Sequence, residues 1–141
     1  MSNTRNVNAY LHFNGNCREV MEFYKQCLGG DLNIMTAEGT PMAENVPADS
    51  LQKVMHASLS GQEWAILASD WMSPNPYVPG NNFSVMIGPA SEEEANTVFN
   101  NLAAGGTVMM PLEPTFWGAI FGMVKDKYGI DWMINFQKEQ S

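Results

Sequence analysis

The chain has 141 residues, 45% of them hydrophobic, enough for one domain with its own core. Fifteen acidic residues against seven basic ones leave a net charge of −8. No basic patch is available to track phosphates, so a nucleic-acid partner is not expected. No run of 18 apolar residues is present to span a bilayer, and the start "MSNTRNVNAY" lacks a signal-peptide core, so the expected location is the cytoplasm.

In chain order, Val7 to Phe13 alternates as a strand, with Val7, Ala9, Leu11 and Phe13 on one face and Asn8, Tyr10 and His12 on the other. Asn16 followed three residues later by Glu19 predicts a capping box. Cys17, Val20, Met21, Tyr24, Cys27 and Leu28 then follow helical spacing to a Gly29-Gly30 stop. Cys17 and Cys27 lie roughly 15 Å apart on that helix, too far for a disulfide, and read as buried thiols of a reducing compartment. A strand over 31–36, the irregular excursion "AEGTPMAENVPADS", and strands over 54–60 and 64–69 complete the first half.

The second half repeats the order. Phe83 to Ile87 is a strand; Ser91 with Glu94 is a second capping box; Ala95, Val98, Phe99, Leu102 and Ala103 form a helical stripe; Gly105-Gly106 stops it. Strands over 107–112, 119–124 and 130–136 follow, with "EPTFWG" as the shorter excursion. Asn8 aligns with Asn82, Glu19 with Glu94, Gly30 with Gly106, and Gly61-Gln62-Glu63-Trp64 with Gly129-Ile130-Asp131-Trp132. Offsets that hold within elements and change only at loops indicate a duplicated strand-helix-three-strand unit. The modules are expected over 6–70 and 83–137, joined by a proline-rich linker over 71–82.

A duplicated βαβββ unit of this length resembles the vicinal-oxygen-chelate superfamily of glyoxalase I, extradiol dioxygenases and bleomycin-resistance proteins. "YLHFNGNCREVMEFYKQCLGG", "MHASL", "GNNFSV" and "TFWGAIFGMVKDKYGIDWMIN" are similar to its PhnB-like branch. The resemblance implies a single α+β domain whose two modules form a curved, mixed eight-stranded sheet around a cavity, with the helices on the outer face, and it implies a homodimer. Members of the branch are often labelled demethylubiquinone methyltransferase-like. No glycine-rich strand-turn-helix is present to hold a nucleotide-like cofactor, so no cofactor is expected and that label is expected to fail as chemistry.

Metal enzymes of the superfamily take His, Glu or Gln ligands from the first and last strand of each module. Carried over by the repeat, those positions become Asn8, Asn82, Ala65 (or Leu67, on the same face) and Met133. Asparagine is a weak donor, and Ala, Leu and Met offer a divalent ion nothing useful, so no usual divalent site is expected. Strand parity assigns Tyr10 and His12 to the concave side, with Ser84 and Met86 opposite them in the second copy and Met133 on the same side. His56 is expected to share a face with Val54 and Ser58, either as a pocket acid/base or as a structural or dimer-seam histidine. Glu113, Phe116 and Trp117 sit in the second excursion, suited to ligand stacking or to anchoring that loop. Glu113 beside His56 would make a carboxylate–imidazole pair.

These residues point to a metal-free small-molecule-binding protein lined by Tyr10, His12, His56, Met86, Glu113, Phe116, Trp117 and Met133. Two alternatives stand beside it. One is a drug- or metabolite-sequestering protein, whose negative charge would attract cationic compounds. The other is a lyase- or isomerase-type enzyme with His56 as base.

Overall fold

The computed structural model describes residues 6–45 and 47–137. The chain divides between Val78 and Pro79 into two compact units. The first contains β1 (Ala9–Phe13), α1 (Cys17–Leu28), β2 (Asp31–Thr36), β3 (Val54–Gly61) and β4 (Trp64–Asp70). Two short 3-10 turns, Pro41–Asn45 and Ala48–Ser50, punctuate the excursion between β2 and β3. The second contains β5 (Val85–Ile87), α2 (Glu92–Ala103), β6 (Thr107–Pro114), β7 (Ala119–Lys125) and β8 (Asp131–Gln137). The eight strands form two mixed four-stranded sheets, ordered β1-β4-β3-β2 and β5-β8-β7-β6.

In each unit a helix covers one face of its own sheet. Cys17, Val20, Met21, Tyr24 and Cys27 of α1 are buried with Leu11, Phe13, Ala57, Leu59 and Ala68. Ala95, Val98, Phe99 and Leu102 of α2 are buried with Ile120, Val124, Trp132 and Ile134. The stripe that the helical period places on one side is therefore the side that leaves water.

The glycine pairs have a specific reason. Gly30 adopts φ +97°, and a Cβ there would meet the Ser60 carbonyl oxygen at 2.6 Å. A Cβ on Gly106 would overlap the Lys125 carbonyl oxygen. Both are places where the chain leaving a helix passes the backbone of the third strand of its module.

Several sequence expectations are corrected. The first strand of each unit begins two residues late, at Ala9 and Val85, because its pairing with β4 or β8 starts there. Asn8 and Asn82 thus precede the strands instead of lying on them. The Asn16 side chain makes no cap hydrogen bond. The Asp70 carboxylate arrives from the end of β4 and takes that role, accepting from Cys17 N at 2.9 Å and from Val54 N at 2.8 Å. The second cap forms in part as expected: Ser91 Oγ accepts from Glu94 N at 3.0 Å, but Glu94 Oε1 reaches back past the cap residue and accepts from Ala90 N at 2.8 Å.

The register also departs from the word match between the halves. β3 and β4 join through two residues, Gly61 pairing with Trp64. β7 and β8 join through five, Lys125 pairing with Asp131. The longer loop is organised by buried Asp126, which accepts from Tyr128 N, Ile130 N and the Trp132 indole. Trp64 is consequently 37% exposed at a turn while Trp132 is fully buried. "EPTFWG" is no loose loop either. β6 runs to Pro114, and Thr115 closes a short turn by bonding Ala119 through backbone and side chain.

Candidate functional site

Each sheet has one face against its helix and one face without it. On the first sheet the row Tyr10–Leu67–Ser58–Asn33 runs across β1, β4, β3 and β2 on the helix-free face. The next row begins at His12, paired with Ser69. Ser69 follows Ala68, whose partner Ala57 follows His56, so Ser69 stands between the two imidazoles. His56 in turn opposes Met35 on β2.

His56 reaches this face through a bulge. Met35 pairs with His56 but the next residue, Thr36, pairs with Val54, leaving Met55 as the extra residue of β3. Alternation reverses across it. Val54 is buried toward the helix, whereas His56 is exposed on the other side, so the expected sharing of a face by His56 and Val54 does not occur. Ser58 does share the face of His56.

The aromatic and imidazole rings form a connected group. Tyr10 lies with its ring centroid 5.1 Å from His12 and 5.8 Å from His56. The Tyr10 hydroxyl and His56 Nδ1 are 3.3 Å apart. With its proton on Nε2, the His56 ring accepts from the phenol and turns an N–H outward. Ser69 Oγ stands 3.4 Å from His12 Nδ1 in the same way. Trp71 packs edge-on to His12 at 5.5 Å, and Tyr77 packs edge-on to Trp71 at 5.8 Å. Burial raises the Tyr77 phenol above its ordinary value, keeping it protonated as the donor to the His12 carbonyl at 2.9 Å. The Trp71 indole donates to the Asn75 carbonyl at 2.7 Å. Trp71 and Tyr77 thus fold part of the proline-rich stretch back over β1.

The second sheet carries different chemistry at corresponding positions. Leu11 lies six residues before α1 and Ile87 five before α2, so the buried row Leu11–Ala68–Ala57 corresponds to Ile87–Ile134–Gly122. Tyr10–Leu67–Ser58–Asn33 then corresponds to Met86–Met133–Met123–Met110. Leu67, not Ala65, is the counterpart of Met133, and Tyr10, not His12, that of Met86. The adjoining row is Asn135–Phe121–Glu113. Trp117 packs edge-on to Phe121 at 6.0 Å, and Phe116 packs edge-on to Trp117 at 5.0 Å while itself 97% exposed.

Of the residues singled out from sequence, Tyr10, His12 and His56 are brought together in the first module. Met86, Met133, Glu113 and Trp117 belong to the second, and Phe116 projects from its turn. Nδ1 of His56 faces the Tyr10 phenol, while Glu113 pairs in register with Phe121. Ser69 and Tyr77 were not singled out. Ser69 shares strand parity with Leu67, which could have found it, whereas nothing local marks Tyr77 as a partner of β1.

The donor set does not suit the divalent ion that the superfamily resemblance implies. Leu67, Met133 and Ala65 present no oxygen or nitrogen, and Asn8 and Asn82 lie outside the strands. Among the described residues no three His, Cys, Asp or Glu side chains converge as a metal-binding group. Cys17 is buried, and burial, then the nearby Asp70 charge, pushes its thiol up to about 12, which disfavours the thiolate form.

Residues 5–135 match the family model described as 3-demethylubiquinone-9 3-methyltransferase. The chain belongs to that family. It is 33% identical to protein YjdN of Escherichia coli (strain K12) over 95% of this chain and 97% of that one. Among solved structures it is similar to protein PA1353 from Pseudomonas aeruginosa, with TM-score 0.86 and 42% identity over 96% of this chain and 100% of that one. A putative 3-demethylubiquinone-9 3-methyltransferase, PhnB protein, from Bacillus cereus gives TM-score 0.72 and 26% identity over 94% and 99% of the two chains. A glyoxalase/bleomycin resistance protein/dioxygenase family enzyme from Burkholderia phytofirmans shares the fold alone, with TM-score 0.62 and 13% identity over 94% and 100%. Family membership and glyoxalase-like fold both agree with the resemblance drawn from the sequence. Among the described residues no helix is long and apolar enough to cross a membrane.

Proposed function

We propose that this protein binds an oxygenated small molecule on the helix-free face of its first module, without the divalent ion of the metal enzymes. The observation that carries the reading is the Tyr10–His56 contact, an exposed phenol and imidazole in hydrogen-bonding reach at 3.3 Å, with His12 beside them. Such a group offers both donors and acceptors to ligand hydroxyls and carbonyls, next to aromatic surface for the apolar part.

Methyl transfer is not the activity we propose, despite the family's description. A nucleotide-like cofactor is commonly held at a helix N-terminus after the first strand. Here the Asp70 carboxylate fills that place on α1, bonded to Cys17 N. A bound anion would have to displace a buried carboxylate from its own partners.

The same contact supports a second reading, lyase- or isomerase-type catalysis with His56 as the base and Tyr10 orienting it. We also propose a homodimer, supported by large apolar side chains left exposed, among them Met86, Val78 and Phe116. Light scattering after gel filtration measures that directly.

The chain has only two histidines, so their ring resonances form a two-signal reporter. Screening oxygenated small molecules by histidine-ring NMR should find ligands that move both His12 and His56. Tyr10→Phe should weaken such ligands about tenfold, the scale of one lost hydrogen bond. Ligands that bind without moving either ring would refute the placement. Conversion of a bound ligand that stops in His56→Ala would select the catalytic reading over binding alone.

A further inference from the structure

We propose that the helix-free face of the second module binds a soft monovalent metal ion, Cu(I), through methionine thioethers. The proposal is independent of the ligand reading for the first module. Its basis is a single row. Met86 pairs with Met133, Met133 with Met123, and Met123 with Met110, so four methionines lie side by side across β5, β8, β7 and β6. All four side chains stand on the face opposite α2. Met86 and Met110 are exposed, and Met123 and Met133 are half-buried.

The chemistry follows from the sulfur. A thioether is a neutral, polarizable donor that suits Cu(I) and offers little to Zn²⁺, Ni²⁺ or Mg²⁺. Neighbouring strands lie roughly 4.8 Å apart. A methionine reaches across such a gap on three rotatable bonds, so sulfurs from adjacent strands can converge on one ion without backbone movement. Met123 and Met133 form the centre of the row, with Met86 and Met110 on either side. Charge on this face does not oppose a cation. Lys125, two residues along β7 from Met123, is paired with Asp131 at 2.9 Å. Glu113 stands in the adjoining row, opposite Phe121. The matching row of the first module, Tyr10–Leu67–Ser58–Asn33, contains no sulfur.

The test is competition for Cu(I), held reduced with ascorbate, between the full chain and a chromogenic Cu(I) chelator at pH 7.5 and pH 5.5. One equivalent should be retained with similar affinity at both, because a thioether has no proton to exchange. Retention that collapses at pH 5.5 would instead point to ligands that exchange a proton, an imidazole of His12 or His56 or a thiol of Cys17 or Cys27, and overturn the proposal. Met123→Leu and Met133→Leu, near-isosteric apolar replacements, should each weaken retention at least tenfold while leaving the thermal midpoint within a few degrees. Met35→Leu, in the first module, should have no effect. No retention by the parent protein, or equal retention by the Met123→Leu, Met133→Leu double variant, would also overturn it.

Discussion

The two modules share a topology and differ on the faces their helices leave open. One face carries two imidazoles, a phenol and a buried serine; the other carries four thioethers, Phe121 and a carboxylate. The helix-facing rows keep an apolar pattern, Leu11–Ala68–Ala57 against Ile87–Ile134–Gly122. Burial constrains the inner faces to similar chemistry because a buried polar group without a partner is costly. The open faces are under no such constraint, and there the copies have diverged into hydrogen-bonding and soft-donor surfaces.

The largest test of that comparison uses two tryptophans in matching words, Trp64 and Trp132. If the structural register is right, Trp132→Ala should lose about 3–5 kcal/mol in urea unfolding, by emptying the second core and leaving Asp126 without its indole donor. Trp64→Ala should lose only about 1 kcal/mol, since the ring lies at an exposed turn. Equal losses would mean that the word repeat, not the sheet register, defines equivalence.

Next in size is Asp70→Ala, expected to cost about 2–4 kcal/mol because two backbone N–H groups, of Cys17 and Val54, lose a charged acceptor. Asn16→Ala should have little effect, since its side chain caps nothing. A larger loss for Asn16→Ala than for Asp70→Ala would restore the local capping box.

A smaller effect concerns Cys17. Burial, then the nearby Asp70 charge, raises its folded-state thiol from an ordinary value of 9.0 to about 12, so the folded protein holds that proton more tightly than the unfolded chain. Its stabilising contribution is complete below about pH 9 and is lost as pH rises from about 9 toward 12. Unfolding midpoints should fall over that window, and Cys17→Ala should fall less steeply than the parent. The native thiol should also resist alkylation at pH 8 until the chain is unfolded. The smallest expected change is Phe116→Ala, within about 0.5 kcal/mol, because that ring is almost fully exposed. A larger loss would show that the turn is covered in solution, which the homodimer reading accommodates.

Much of this is legible in the sequence. Helical spacing placed Cys17, Val20, Met21 and Tyr24 in one core and Val98, Phe99 and Leu102 in the other. The glycine pairs marked both helix ends, and duplication exposed the βαβββ order. Period-two alternation also put Tyr10 and His12 on the open side of β1, because a strand cannot turn one side chain over without turning its neighbours.

The remaining decisions needed tertiary structure, and each has the same physical origin. The bulge at Met55 depends on how β3 lies against β2, so no local pattern could place His56 beside Tyr10. Asp70 caps a helix 53 residues earlier in the chain, through a contact invisible to a four-residue capping rule. The methionine row exists only because three ladders bring residues 86, 133, 123 and 110 abreast. Local periodicity determined which elements form and which side each presents. Pairing between distant strands decided which side chains meet, because hydrogen-bond register is a property of two strands and not of one.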